Sequence, residues 1–212
     1  MPTHFQFIKT PLLSVGYEAH APVNAGPDAP VIMLLHGWPD STRTWASVVP
    51  NLTAAGYRVI VPALRGFAPT TFLHRDTPRT GQLAALGRDL LDLIAALKID
   101  KPILVGHDWG ARAVANACGL VPNLASHMVL ISVAYGANNP SQAISMAQAR
   151  RYWYHWYMAT PRGQAEVAAN RRAFAKIMWD TWSPAGWYEA DEFAVTAEAF
   201  DNPDWLPITL HS

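Results

Sequence analysis

Pro102-Ile103-Leu104-Val105-Gly106-His107-Asp108-Trp109-Gly110-Ala111-Arg112-Ala113-Val114-Ala115-Asn116-Ala117 reads as a buried strand, a sharp turn and a helix of small residues, with a carboxylate at the apex. In the G-x-S-x-G nucleophile elbow the central side chain stands on a strained strand-to-helix turn. Its flanking positions must be small because a larger Cβ would strike neighbouring backbone. Here aspartate takes the place of serine. The N-terminus of the following helix aims amide N–H groups and the positive end of its dipole at Asp108, which is expected to favour the ionised form. A carboxylate nucleophile suits displacement of a leaving group at saturated carbon, giving an alkyl ester on the protein; epoxides and carbon–halogen bonds offer such centres. Taken alone, the aspartate could simply cap its helix.

A second motif argues against a mere cap. His36-Gly37-Trp38-Pro39 follows the apolar run Val31-Ile32-Met33-Leu34-Leu35, so it too lies just past the carboxyl end of a predicted strand, where open α/β sheets place their ligands. An ester on Asp108 must be opened by water, and the resulting oxyanion needs two preorganised backbone donors. The loop carrying Trp38 and the residue after the nucleophile, Trp109, are placed to supply them.

The H-G-x-P and G-H-D-W-G-A pair resembles the epoxide hydrolase and haloalkane dehalogenase branch of the α/β-hydrolases, whose nucleophile is aspartate, and the similarity runs from about Phe5 to Ser212. The resemblance implies an α/β-hydrolase fold: a mostly parallel, doubly wound sheet, of which the first six strands are expected here, with a helical cap. By it, the backbone amides of Trp38 and Trp109 form the oxyanion hole. His36 becomes a hydrogen-bonding residue of its loop, counted with Trp38, Trp109, Tyr154 and Tyr157 among the residues around the substrate. The stretch Tyr154-His155-Trp156-Tyr157 looks like the epoxide hydrolase lid motif, whose first tyrosine hydrogen-bonds the epoxide oxygen. Epoxide opening leaves an alkoxide, and a phenol of pKa about 10 can donate to it; Tyr154 is assigned that role beside Asp108. The dehalogenase alternative stays open, because a tryptophan after the nucleophile can also hold a departing halide. Trp38 resembles the bulky residue of epoxide hydrolases rather than the asparagine usual in haloalkane dehalogenases. Fluoroacetate dehalogenases usually carry arginine directly after the nucleophile, whereas Arg112 comes a turn later and reads as a surface or supporting residue.

Around these motifs, Phe5 to Lys9 and Leu12 to Glu18 alternate as strands should. Tyr57 to Ala63 and Met128 to Ala134 add two more strands, and Ser41 to Ala55 and Gln82 to Leu97 read as helices. Strands alternating with helices argue for a parallel sheet covered on both faces. After Ala134 the chain turns helical and aromatic, dividing it into a core over 1–134 and a cap over 135–212. The cap's centre is Tyr152-Trp153-Tyr154-His155-Trp156-Tyr157, read as aromatics on every side of one helix. Its last helix is expected over Pro203 to Leu210.

Half of the residues are hydrophobic, and Lys plus Arg balance Asp plus Glu at 16 each, so the electrostatic footprint of a nucleic-acid partner is missing. Met1 to Thr10 lacks a signal-peptide pattern, and no apolar stretch is long enough to span a bilayer; a cytoplasmic location follows by default. Cys118, the only cysteine, reads as core packing, and no metal or cofactor is called for. The expected partner is a small molecule, an epoxide or an organohalide.

The family's catalytic acid and water-activating histidine belong on loops after late strands. His127, His155 and His211 lack that setting, and Asp180, Asp191, Asp201 and Asp204 all fall in the cap segment, so neither role is assigned. The expectation is an incomplete hydrolase that labels itself without turnover, and whose last strand leaves an uncovered sheet edge inviting self-association. A catalytically inactive hydrolase-fold module that binds a ligand under its cap is the alternative of another class.

Overall fold

The computed structural model describes residues 4–24, 26, 28–133 and 141–212. Seven strands form one sheet: β1 (Gln6–Lys9), β2 (Leu13–His20), β3 (Val31–Leu35), β4 (Arg58–Pro62), β5 (Thr71–Phe72), β6 (Ile103–His107) and β7 (His127–Ile131). The order is β1-β2-β4-β3-β6-β7, with β5 attached to β2. The first two strands pair antiparallel, and β4, β3, β6 and β7 are parallel.

The central strands are apolar throughout because both of their faces are covered. In β3, Ile32 and Leu34 face a cluster with Trp45, Val49, Val59 and Val61, while Met33 and Leu35 face the opposite core with Leu104, Leu90 and Val114. Helices α1 (Val49–Ala54), α2 (Leu83–Leu97) and α3 (Trp109–Leu120) belong to this layer. The helical remainder comprises α4 (Met146–Arg151), α5 (Trp153–Met158), α6 (Pro161–Ala169), α7 (Arg171–Trp182), α8 (Ala190–Ala197) and α9 (Trp205–Leu210). Several of these contribute to the larger core, through Met158, Val167, Phe174, Met178, Phe193 and Trp205.

Four expectations need correction. The single helix expected over Ser41 to Ala55 is broken into a 3-10 turn at Thr42–Trp45 and α1. Pro50 lacks the N–H that a continuous helix would donate to Ala46, but it sits without cost in the first turn of α1. The sheet has seven strands rather than six, since β5 adds two residues paired with Leu13 and Ser14. The aromatic run is not one helix: Tyr152 lies outside regular helix between α4 and α5, with φ −96° and ψ 20°. Its residues also differ in burial, Tyr152 and Trp156 being exposed while Trp153, Tyr154 and Tyr157 are half-buried. The strand expected from Met128 to Ala134 spans His127–Ile131, and Ala134 lies outside the described residues.

Candidate active site

The elbow forms because β6 ends where α3 begins, with no room between them. A Cβ on Gly106 would meet the backbone of Gly110 and Ala111, and one on Gly110 would meet the carbonyl oxygens of Leu35 and His36. Asp108 turns the corner with φ 53° and ψ −115°, a conformation that L residues rarely hold, and its N–H donates to the Ile131 carbonyl at 3.1 Å. Gly37 lets the second loop close on the first: a Cβ there would lie 2.5 Å from the Asp108 Cβ.

The Asp108 side chain makes no capping bond to α3. Its Oδ1 instead accepts from the Trp38 N–H at 2.8 Å, and the Trp109 amide also favours the charged carboxylate. Both amides assigned to the oxyanion hole therefore converge on this one group. Its acidity departs from expectation: burial raises the Asp108 pKa, outweighing the downward pull of the Trp38 and Trp109 amides, His107 and Arg112. Taking a carboxylate out of water costs more here than two backbone donors return.

His36 is fully buried with both ring nitrogens engaged, Nδ1 with the Gly37 carbonyl at 2.9 Å and Nε2 accepting from the Leu64 N–H at 3.1 Å. Burial lowers its pKa to about 4, so it is a neutral strut of its loop. Neither ring nitrogen of His36 is left free.

Trp38 is the hub of an aromatic layer beside Asp108. Its ring stacks on Trp109 and Tyr154, at centroid distances of 6.2 Å and 5.7 Å, and on Trp205 at 6.4 Å, while Nε1 donates to Thr209 Oγ1 at 3.0 Å. The Tyr154 hydroxyl is pushed well above the usual phenol range, by burial first and then by the charge of Asp108, so it holds its proton and can donate it. Tyr157 stacks on Phe174 at 6.1 Å and packs against Trp153, as part of the layer's support. Of the three histidines after Asp108, His127 is exposed on β7, His155 is exposed beside the Tyr154 ring and His211 is exposed after α9.

Sequence reasoning passed over three contributors. Thr209 holds the Trp38 indole from 171 residues away, a pairing that no local pattern reveals. The Trp179 Nε1 donates to the Pro39 carbonyl at 2.8 Å, fastening α7 to the loop. Asp40 follows Pro39 directly, and its position in the loop was the signal available. Burial pushes its carboxyl up to about 7, with the charges of Glu192 and Asp108 adding to the rise. Beside it runs a groove of about 490 Å³ lined by Asp40, Trp45, His107, Ile131, Trp179 and Thr196, among others. Among the described residues no cluster of three His, Cys, Asp or Glu side chains could hold a metal ion, and no helix is long and apolar enough to cross a membrane.

The family profile for the α/β hydrolase fold matches residues 30–186. Epoxide hydrolase B of Mycobacterium tuberculosis (strain H37Rv) is 28% identical over 199 residues, covering 86% of this chain and 55% of that protein. Epoxide hydrolase 3 of Siraitia grosvenorii is 37% identical over 127 residues, covering 59% of this chain and 39% of that protein. A crystal structure from Klebsiella pneumoniae, solved as a candidate epoxide hydrolase, is 38% identical with a TM-score of 0.91, covering 98% of this chain and 68% of that one. Potato (Solanum tuberosum) epoxide hydrolase I shares the fold at a TM-score of 0.78 and 21% identity. The chain thus spans little more than half the length of Epoxide hydrolase B.

Proposed function

The chain belongs to the α/β-hydrolase fold family, and from that premise we propose that it carries the nucleophilic half of an epoxide hydrolase, in a core over 1–134 capped by 135–212. The observation that carries the reading is the carboxylate of Asp108 held by the Trp38 amide, with the Trp38 ring stacked on Tyr154, whose hydroxyl feels the Asp108 charge. Oδ1, bound to the Trp38 amide, is fixed as the future ester carbonyl, which leaves Oδ2 to attack an epoxide carbon. The C–O bond of the ring breaks, and the Tyr154 hydroxyl gives its proton to the alkoxide. When water later adds to the ester, the negative charge develops on Oδ1, already bound to the Trp38 amide. The raised pKa of Asp108 fits this course, since a desolvated carboxylate is a stronger nucleophile than a hydrated one once it is ionised.

The names of the relatives support an epoxide over a halide, and so does Trp38, whose indole N–H is committed to Thr209 and is not offered to a departing anion. The first step, formation of the ester, is what the experiment reads directly. Incubation with styrene oxide followed by intact-mass measurement and peptide mapping yields a single adduct, on Asp108. The Asp108→Ala variant stays unlabelled, and Tyr154→Phe labels roughly 100-fold more slowly. Labelling elsewhere, or none, overturns the reading in favour of a binding module.

A further inference from the structure

Tyr154 is placed by packing. Among the described residues no group hydrogen-bonds its hydroxyl, so the position of the phenol follows from the rings around it. The Trp38 indole lies nearest to parallel, at 20° with centroids 5.7 Å apart, while Tyr152 and Trp153 meet Tyr154 edge-on and His155 and Trp182 are tilted against it. The Trp38 face therefore sets the plane of the phenol. Stacking fixes a plane but discriminates poorly against rotation within it, because the attraction is summed over many weak atom pairs. A hydrogen bond is directional and supplies what the stack lacks. An indole has one polar atom, and in Trp38 that atom is engaged: Nε1 donates to Thr209 Oγ1 at 3.0 Å, with Trp38 6% and Thr209 1% exposed.

Thr209 can act as an anchor because α9 is fastened to loops that follow β4 and β5. At its start, Asp204 Oδ1 accepts from Arg79 Nε at 2.9 Å, and Arg79 is itself held by the carbonyls of His74 and Arg75. Just before it, Asn202 Nδ2 donates to the Thr70 carbonyl at 2.7 Å. Within the helix, Ile208 presses on two glycines: a Cβ on Gly66 would lie 2.9 Å from the Ile208 Cβ, and one on Gly81 would lie 2.4 Å from the Ile208 carbonyl oxygen. Tyr154 comes from α5, so the Trp38 indole joins a cap side chain to a point held from the sheet side of the fold.

We propose that Thr209 is a positioning residue for the proton transfer of epoxide opening: its hydroxyl oxygen fixes the Trp38 indole within its own plane, and the indole places the Tyr154 hydroxyl at the oxygen that ring opening releases. The catalytic half rests on the roles given above to Asp108 and Tyr154; the placement of the Tyr154 ring does not. An Asp108 oxygen forms a bond to an epoxide carbon as the C–O bond of the ring breaks, the electron pair stays on the departing oxygen, and that oxygen takes the phenol proton. The phenolate recovers a proton from water. The Trp38 amide belongs to the backbone and holds Asp108 at 2.8 Å whether or not the indole is tethered. Loss of the tether is therefore felt at the proton donor, and it has nothing to act on once the phenol hydroxyl is removed.

Three variants of Thr209 isolate one oxygen atom. Thr209→Val keeps the shape and removes the acceptor, Thr209→Ser keeps the acceptor, and Thr209→Ala differs from the serine variant by that oxygen alone, so the alanine and serine pair carries the test if the valine variant does not fold. In the protein before labelling, the Tyr154 ring resonances, identified by their loss in Tyr154→Phe, report the ring current of the Trp38 indole. They are expected to move in the valine and alanine variants, together with the Trp38 indole N–H resonance, and to stay in place in Thr209→Ser. Tyr154 resonances unmoved by loss of the oxygen overturn the placement. Labelling of Asp108 is then timed across styrene oxide concentrations. The maximal rate should fall about tenfold in the valine and alanine variants at an unchanged half-saturating concentration, and Thr209→Ser should stay within about twofold of the wild type. In the Tyr154→Phe background, Thr209→Val should slow labelling no further. Equal slowing in both backgrounds is ordinary loss of packing and overturns the proposal, as does a serine variant as slow as the alanine one. If the wild-type chain takes no label at all, the reading of Asp108 fails, while the Tyr154 resonances still decide the placement.

Discussion

Asp108 and Asp40 are both buried acids raised above the usual carboxylate range, but only one is placed to react. Asp108 occupies a backbone conformation costing about 1–3 kcal/mol, and its carboxylate is held by the Trp38 amide; such strain persists where surrounding structure enforces it. Asp40 instead couples folding to pH. Its carboxyl rises from 3.8 to about 7, so the folded chain keeps a proton that the unfolded chain has released. That contribution is complete below about pH 3.8 and is lost as pH climbs through 7. His36 works in the opposite sense, since its fall from 6.5 to about 4 gives stability that is complete above pH 6.5 and lost as pH drops toward 4. Asp40→Asn leaves the His36 dependence and removes the other. Urea unfolding of both proteins across pH 4 to 7 is expected to show the variant gaining on the wild type as pH rises, by up to about 4 kcal/mol. A pH-independent difference between them overturns the assignment of a proton to Asp40.

The turn from β6 into α3 was legible in sequence because its requirements are local. Gly106 and Gly110 flank the acid, an apolar run precedes it and small residues follow. The two glycines differ in what surrounds them, and Gly110 presses against the carbonyls of Leu35 and His36, which belong to the end of β3 and the start of the loop that carries Trp38. A methyl group there cannot be accommodated by rotating a side chain. Gly110→Ala should lower stability by about 3 kcal/mol, seen as a fall in the thermal midpoint, and should separate the two loops enough to slow labelling of Asp108. An unchanged midpoint and labelling rate would show that the loops are not held together at this contact. The parts that resisted sequence reading depend on distant partners. Two-residue β5 exists only because β2 offers it an edge at Leu13 and Ser14. The Trp38 indole finds Thr209 across the fold, and the break in the 41–55 helix follows from the one N–H that Pro50 lacks. The elevated pKa of Asp108 was hidden for a related reason: the helix dipole is visible in sequence, whereas the depth of burial that outweighs it is not.

Across the whole molecule, the helices after β7 are tied to the sheet by contacts that also shape the site: Trp179 to Pro39, Trp38 to Thr209 and Arg43 to Glu192. The sheet's two margins are unequal. At one, β1 runs antiparallel to β2. At the other, β7 pairs among the described residues with β6 alone and is parallel to it, and parallel strands are ordinarily covered on both faces. Yet Met128 is 48%, Val129 47% and Ile131 40% exposed, and these residues point to both sides of the sheet. An apolar edge with a free row of N–H and C=O groups is a template for another strand. The chain on its own is therefore expected to self-associate through β7, giving a sedimentation mass that grows with concentration. Val129→Lys puts a charge on that edge at an exposed position, where it should cost under about 0.5 kcal/mol in the monomer. The variant should sediment as a monomer with an unchanged midpoint of unfolding and the same rate of Asp108 labelling. If the wild-type chain remains monomeric at high concentration, or if Val129→Lys associates as strongly as the wild type, β7 is not the contact that draws copies together.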